Sequence, residues 1–171
     1  DQQNGQAGSS GAATANSETK DGYALPDLIT SPSAIITYGD RILLDVRSTE
    51  NYLAGHISGA RNLYWKDLQK DGILDTASAE AALNRLGVKE NDRLIIYGDN
   101  AEDAAMVFWA LSYLGHKNLS LLDGGLDAAQ EAGVEITSDE ESKTSLPSSL
   151  RPTNYTAHVV PWLLVTPDNL E

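Results

Sequence analysis

The segment Arg93-Leu94-Ile95-Ile96-Tyr97 constrains this chain more than any other. An unbroken apolar run has no polar face to offer water, so it fits a strand covered on both sides. Two runs of similar character accompany it, Arg41-Ile42-Leu43-Leu44-Asp45-Val46 and Leu119 to Leu122. Helical stretches lie between them. Ser31-Pro32 reads as a helix start, with Ser at the N-cap and Pro at the first helical position. Ser48 to Ala54 is a short helix stopped by Gly55, and Ser78 to Leu86 turns Leu83 and Leu86 inward and ends at Gly87. Glu102 to Leu114 places Val107, Leu111 and Leu114 on one stripe and ends at Gly115. Leu28-Ile29-Thr30 and Ala60 to Leu63 are shorter strand candidates, and Gly124-Gly125 opens a last short helix. This alternation predicts an α/β fold, a single domain with a central parallel sheet and helices on both faces. Ligand sites in such sheets lie past the carboxyl ends of the strands. The stretch Gly98-Asp99-Asn100-Ala101-Glu102-Asp103, directly after Tyr97, is therefore the candidate loop.

A length of 171 residues suits one such domain with extensions and is too short for two. The expected divisions are a disordered polar leader over 1–24, the domain over 25–135, and a linker with the opening strand of a second domain over 136–171. Asp1 to Gly22 contain no Leu, Ile, Val, Phe, Tyr or Trp and cannot bury apolar surface. Such a tether matches the segment behind an export signal or a lipid-modified residue, and equally an arbitrary leader. An exported chain is the expectation, with a cytoplasmic one as the alternative. Glu135 to Ser149 is acidic and then rich in Ser and Thr, which reads as a surface linker. Leu164-Val165-Thr166-Pro167-Asp168 echoes Ile29-Thr30-Ser31-Pro32, about one domain length away. The echo fits either the start of a second copy or a terminal strand and turn of the same domain.

Charge removes several classes of function. The chain carries 12 basic and 25 acidic side chains, a formal net charge of −13. That field repels phosphate backbones and anionic lipid heads, so no nucleic-acid or membrane-surface partner is expected. A small anion would need a local positive patch opposing the field. No apolar run is long enough to span a bilayer. The cysteine count is zero, which removes disulfides, thiolate metal sites, iron–sulfur ligation and every cysteine nucleophile. His56, His116 and His158 lack the close spacing of a zinc motif. No cofactor and no metal are expected.

Four segments carry the remaining signal, and their order matters. They are Leu44-Asp45-Val46-Arg47, then Gly55-His56-Ile57-Ser58-Gly59-Ala60-Arg61-Asn62, then Ile95-Ile96-Tyr97 with its loop, then Leu121-Leu122-Asp123-Gly124-Gly125-Leu126. On their own terms, Asp45 and Arg47 stand two residues apart at a strand end, where a carboxylate can accept backbone N–H bonds and fix loops. Gly55 and Gly59 supply turns. His56 between them is read as a hydrogen-bonding structural residue, since no nucleophile accompanies it. Together the ordered segments resemble a rhodanese domain over about Leu28 to Gly133.

The resemblance implies a sulfurtransferase in which a cysteine after the strand-ending Tyr takes sulfur from a donor such as thiosulfate and holds it as a persulfide. Aligned on Tyr97, that position is Gly98 here, or Asp99 if the register slips by one. Neither can carry sulfane sulfur, and the loop has three acids and no base, so a thiosulfate dianion meets like charge. The chain is also similar to the non-catalytic first half of tandem thiosulfate sulfurtransferases, through Phe108-Trp109-Ala110-Leu111, Leu114-Gly115-His116 and Leu122-Asp123-Gly124-Gly125. It departs from them at Ala129, where such domains place a Trp, and looser packing is expected there. The first reading is the inactive half of a two-domain enzyme, whose partner is a catalytic rhodanese domain in cis, with Arg47 near the cleft helping to bind the anionic donor. The second is a stand-alone module that binds a protein or ligand through the acidic loop. Asp99, Glu102 and Asp103 either gather a hard cation or simply favour the start of the following helix. A phosphatase of the related fold also needs a cysteine and is ruled out.

Overall fold

The computed structural model describes residues 28–37, 39–138 and 151–163. Five parallel strands form the central sheet: β1 (Ile29–Thr30), β2 (Arg41–Asp45), β4 (Arg61–Asn62), β7 (Arg93–Tyr97) and β8 (Leu119–Leu122), in the order β1-β8-β7-β2-β4. The apolar β7 lies between β8 and β2, where both its edges are paired. Its residues Leu94 to Tyr97 are all buried. This is the strand the sequence places on a doubly covered sheet.

Residues alternate between the two faces with period two. Leu44, Val46, Leu94 and Ile96 join one core, which takes in α3 (Thr76–Arg85) and α4 (Ala101–Tyr113) through Ala79, Leu83, Val107 and Leu111. Leu43, Ile95 and Tyr97 join a second core with Ile35 of α1 (Pro32–Thr37) and Leu126 and Ala129 of α5 (Gly125–Glu131). Helices therefore cover both faces, as expected. The remaining helix, α2 (Thr49–Ala54), is capped by Ser48, whose hydroxyl accepts the Asn51 N–H at 3.3 Å. No helix among the described residues is long and apolar enough to cross a membrane.

The structure differs from the sequence reading in several places. α3 begins at Thr76 rather than Ser78, because Asp75 is the cap and accepts the Ser78 N–H at 2.8 Å. α4 begins at Ala101 because Asn100 caps it. A short hairpin, β5 (Gln69–Lys70) with β6 (Ile73–Leu74), follows a 3-10 turn over Trp65–Leu68, where the sequence reading placed no element. β3 (His56–Ile57) pairs antiparallel with β9 (Ile136–Thr137), so the stretch read as a linker opens with a strand. Ala129 is fully buried in the second core.

Residues 151–160 also return to the domain, beyond the boundary expected at 135. Tyr155 is 4% exposed and joins the α3–α4 core. Its backbone N–H donates to the Asn84 side chain, and the Ala157 N–H donates to Glu80 Oε1 at 2.7 Å. The His158 N–H reaches the Leu114 carbonyl at 2.9 Å. One buried aromatic ring and a row of tertiary hydrogen bonds hold a segment whose composition looks like linker. The polar leader, the middle of the acidic linker and Leu164 to Asp168 lie outside the described residues.

Candidate functional site

β7 carries Tyr97 to the carboxyl end of the sheet, where the chain turns out through Gly98 into α4. Gly98 is buried against β2, and a β-carbon built on it would stand 3.0 Å from Val46 Cγ2. That contact is tight enough that the neighbour would have to move. Asn100 then stops the loop. Its Oδ1 accepts the Asp103 N–H at 2.8 Å, and its Nδ2 donates to Asp103 Oδ2 at 3.2 Å. Asp103 and the exposed Glu102 sit in the first turn of α4, where negative charge suits the helix dipole.

The loop forms one wall of a cavity of about 480 Å³. Asp123, Gly124 and Gly125 form the opposite wall, with Ile29 and Leu126 supplying apolar surface. Gly124 and Gly125 have φ of 70° and 62°, in the left-handed region that glycine enters freely. A β-carbon on Gly124 would fall 2.5 Å from the Ala128 β-carbon, so the close turn into α5 needs glycine there. The ionisable side chains lining the cavity are Asp99, Asp123, Asp127 and the Tyr97 phenol, with no cation among the described residues.

Asp45 and Arg47 anchor this end of the sheet. Asp45 is fully buried and Arg47 is 7% exposed. Asp45 Oδ1 accepts the Arg47 backbone N–H at 3.0 Å and Nε at 2.9 Å, while Oδ2 accepts Nη2 at 2.6 Å. Arg47 Nη2 also donates to the Gly55 carbonyl at 2.6 Å, and Nη1 lies 3.4 Å from Asp99 Oδ1. Burial works to lower the Arg47 pKa, but the bond and charge of Asp45 outweigh it and hold the group above its ordinary value. Asn62 Nδ2 adds bonds to the carbonyls of Asp45 at 3.1 Å and Arg47 at 2.9 Å. The backbone on both sides of α2 is thereby tied to the strand end. Burial, followed by the nearby Asp45 charge, pushes the Tyr97 phenol well above its usual range, so it stays protonated. Its oxygen accepts the Ile57 N–H at 3.1 Å.

His56 is completely buried. Its Nδ1 lies 2.8 Å from the Tyr52 carbonyl, so Nδ1 carries the proton, and the ring stacks on Tyr52 with centroids 3.7 Å apart. Tyr52 donates its hydroxyl to the Ala60 carbonyl at 2.7 Å, across the turn at Gly59, where φ is 79°. His56 is not among the residues lining the cavity, and its bond and stacking to Tyr52 lie within the turn.

The loop therefore contains Gly98 at its buried root and carboxylates beyond it, with no side chain able to accept sulfur. Arg47 is engaged by Asp45, Gly55 and Asp99, which leaves it poorly placed for the donor-binding role that the sequence allowed. The cation reading gains no support, because Asp99 Oδ2 accepts Asn51 Nδ2 at 2.8 Å while Asp103 bonds to Asn100. Among the described residues no group of three or more His, Asp or Glu is placed to hold a metal. Sequence reading missed Asn51 and Asn62 as supports of the site. Asn62 ends β4 and closes the Gly55-to-Asn62 segment, which was a usable signal, whereas Asn51 on α2 gave none.

The rhodanese-like domain profile matches residues 31–132. The chain is 30% identical over 130 residues to the sulfur carrier protein TtuD of Thermus thermophilus, covering 71% of this chain and 46% of that protein. It is 33% identical over 136 residues to the thiosulfate sulfurtransferase of Corynebacterium glutamicum, covering 73% and 45% respectively. The chain thus spans about half the length of the curated relatives it matches. Among solved structures, SseA from Escherichia coli, described as a 3-mercaptopyruvate sulfotransferase, superposes with a TM-score of 0.69 at 20% identity. That superposition covers 84% of this chain and 60% of SseA, and at such identity it shows the fold alone.

Proposed function

The chain belongs to the rhodanese-like domain family, and from that premise we propose that it is a non-catalytic member serving as the structural half of a two-domain sulfurtransferase. The observation that carries this reading is Gly98. Sulfur transfer from thiosulfate needs a thiolate to attack the sulfane sulfur, form a new S–S bond and release sulfite. This chain has no cysteine, and the strand-end position holds a glycine with no room for a side chain without moving Val46. The acids that follow it oppose an anionic donor. Relatives roughly twice as long as the match support a second domain beside this one. In that role the domain presents a rigid surface for the catalytic half to pack on, and the Asp45–Arg47 anchor keeps its loops fixed.

A thiosulfate:cyanide assay on the 171-residue chain tests the first part, with no turnover above the uncatalysed rate expected. Measurable turnover overturns the non-catalytic assignment. The gene beyond the codon for Glu171 tests the second part. A further rhodanese-like domain with Cys after its strand-ending Tyr is expected, and its absence overturns the tandem role. A second reading then takes over, that of a stand-alone module binding a protein or ligand. It draws on the 480 Å³ cavity, whose apolar walls at Ile29 and Leu126 meet an acidic rim.

A further inference from the structure

At the opposite, amino-terminal end of the same sheet the charge reverses. Arg41 opens β2, Arg93 opens β7, and Lys117 lies two residues before β8. In the parallel ladder Arg41 stands directly beside Arg93. Side chains in register on neighbouring strands leave the same face of the sheet, and like charges placed so repel. A chain with more than twice as many acids as bases nonetheless sets three cations along one groove, of about 590 Å³, with no acidic residue among its described lining residues. Asp40 stands just outside, 3.6 Å from an exposed Arg93, in a pair that water screens.

The floor of the groove adds hydroxyl donors. Thr30 Oγ1 and Ser120 Oγ lie 2.7 Å apart, and both residues are nearly buried. Two hydroxyls carry two protons, and their mutual bond uses one. No further partner of either hydroxyl is found among the described residues, so one O–H remains to donate. Beside it β1 begins opposite Leu121, so among the described residues no strand pairs with β8 on that side at Leu119 and Ser120.

We propose that this groove is a binding site for a multiply charged oxyanion of the phosphate type, with Arg41, Arg93 and Lys117 as its cations and the Thr30–Ser120 pair as a hydroxyl donor. Two guanidinium groups suit the paired oxygens of such an anion, and a lysine adds a point charge. The size lies within the range of small-molecule pockets. The site is independent of the Gly98 loop, from which the five residues of β7 separate it by roughly 15 Å. It also supplies the local positive patch without which the net charge of −13 would exclude an anion.

The test uses pyrophosphate as the probe and backbone amide NMR shifts of the 171-residue chain as the readout, with sodium chloride at matched ionic strength as the control. Saturable shifts confined to Arg41, Arg93, Lys117 and Ser120 and their neighbours are expected. The double variant Arg93→Gln/Lys117→Gln changes two exposed side chains, and its unchanged spectrum elsewhere reports an intact fold. It should weaken binding at least about tenfold, since each charge-assisted bond contributes on that order. Arg85→Gln, remote from the groove, should leave binding unchanged. Three outcomes overturn the proposal: no saturable shifts at the groove, equal shifts with chloride, or full affinity in the double variant.

Discussion

The two ends of the central sheet are fixed by different physics. At the carboxyl end, a buried carboxylate and a buried guanidinium hold the loops, and Asp45 accepts four bonds from Arg47 alone. At the amino end the anchor is neutral. His116 Nε2 lies 2.8 Å from the Asp92 carbonyl, directly before Arg93, and Nδ1 lies 3.2 Å from the Tyr155 hydroxyl. The carbonyl can only accept, so Nε2 carries the proton and Nδ1 accepts from Tyr155. The surfaces are reversed relative to these anchors. The ionically anchored end presents acids around a buried glycine, and the neutrally anchored end presents cations. Charge in a buried anchor fixes geometry firmly but leaves a large penalty when one partner is lost. A neutral anchor tolerates the loss of a partner better and responds to pH instead.

The sharpest way to break this contrast is to remove one member of the ionic anchor. Asp45→Ala leaves the Arg47 guanidinium buried with only the Gly55 carbonyl and the more distant Asp99. Losing one partner of a buried pair costs about 3–5 kcal/mol. Urea unfolding should show that loss as a lower midpoint with an unchanged slope. A loss below about 1 kcal/mol would mean that water reaches Arg47 and that the carboxyl end is no more rigidly held than an exposed ion pair.

The neutral anchor is probed through Tyr155. Tyr155→Ala removes a buried ring from the α3–α4 core together with the hydroxyl bonded to His116. A loss of about 3 kcal/mol is expected if residues 151–160 are an integral part of the domain, in the range for deleting a buried aromatic side chain. Hydrogen exchange should then rise at His158 and Val160, whose amides bond to Leu114 and Tyr113. If stability is unchanged, the segment is only laid on the domain, and the amino end owes little to it.

The legibility of the two ends differed for related reasons. Leu94 to Tyr97 could be read because an unbroken apolar run has few other uses, and the Gly98 loop followed from its place after that run. Asn100 as a cap was within reach, since Asn before an acidic first turn is a usual helix start. The β3–β9 pairing was hidden because a two-residue bridge has no period. Residues 151–160 were hidden because their attachment rests on tertiary partners, Asn84 and Glu80, that a polar composition does not announce. The basic groove was also missed. Arg41, Arg93 and Lys117 are scattered in sequence, and only the strand order brings them to one edge. A faint signal existed, because each stands at or just before the start of an apolar strand.

The smallest expected effect, on pH dependence, separates the anchors most directly. Burial holds the His116 pKa below its ordinary 6.5, against the upward pull of the Asp92 carbonyl and the nearby Asp92 and Glu90 charges. The unfolded chain therefore takes up a proton near pH 6.5 while the folded chain still resists it. Between the two pKa values the unfolded state binds more protons, so stability rises with pH and falls as pH drops. The contribution is complete above 6.5, is lost as pH falls towards the folded value, and changes no further below it. The slope from one such group cannot exceed about 1.4 kcal/mol per pH unit. Thermal midpoints should therefore fall between about pH 7 and about pH 5 in the native chain, and fall less in His116→Gln, whose amide can still donate to Asp92 and accept from Tyr155. Parallel curves for the two proteins would show that His116 titrates alike in both states. The amino end would then have lost the feature that distinguishes its anchor from the ion pair at the other end.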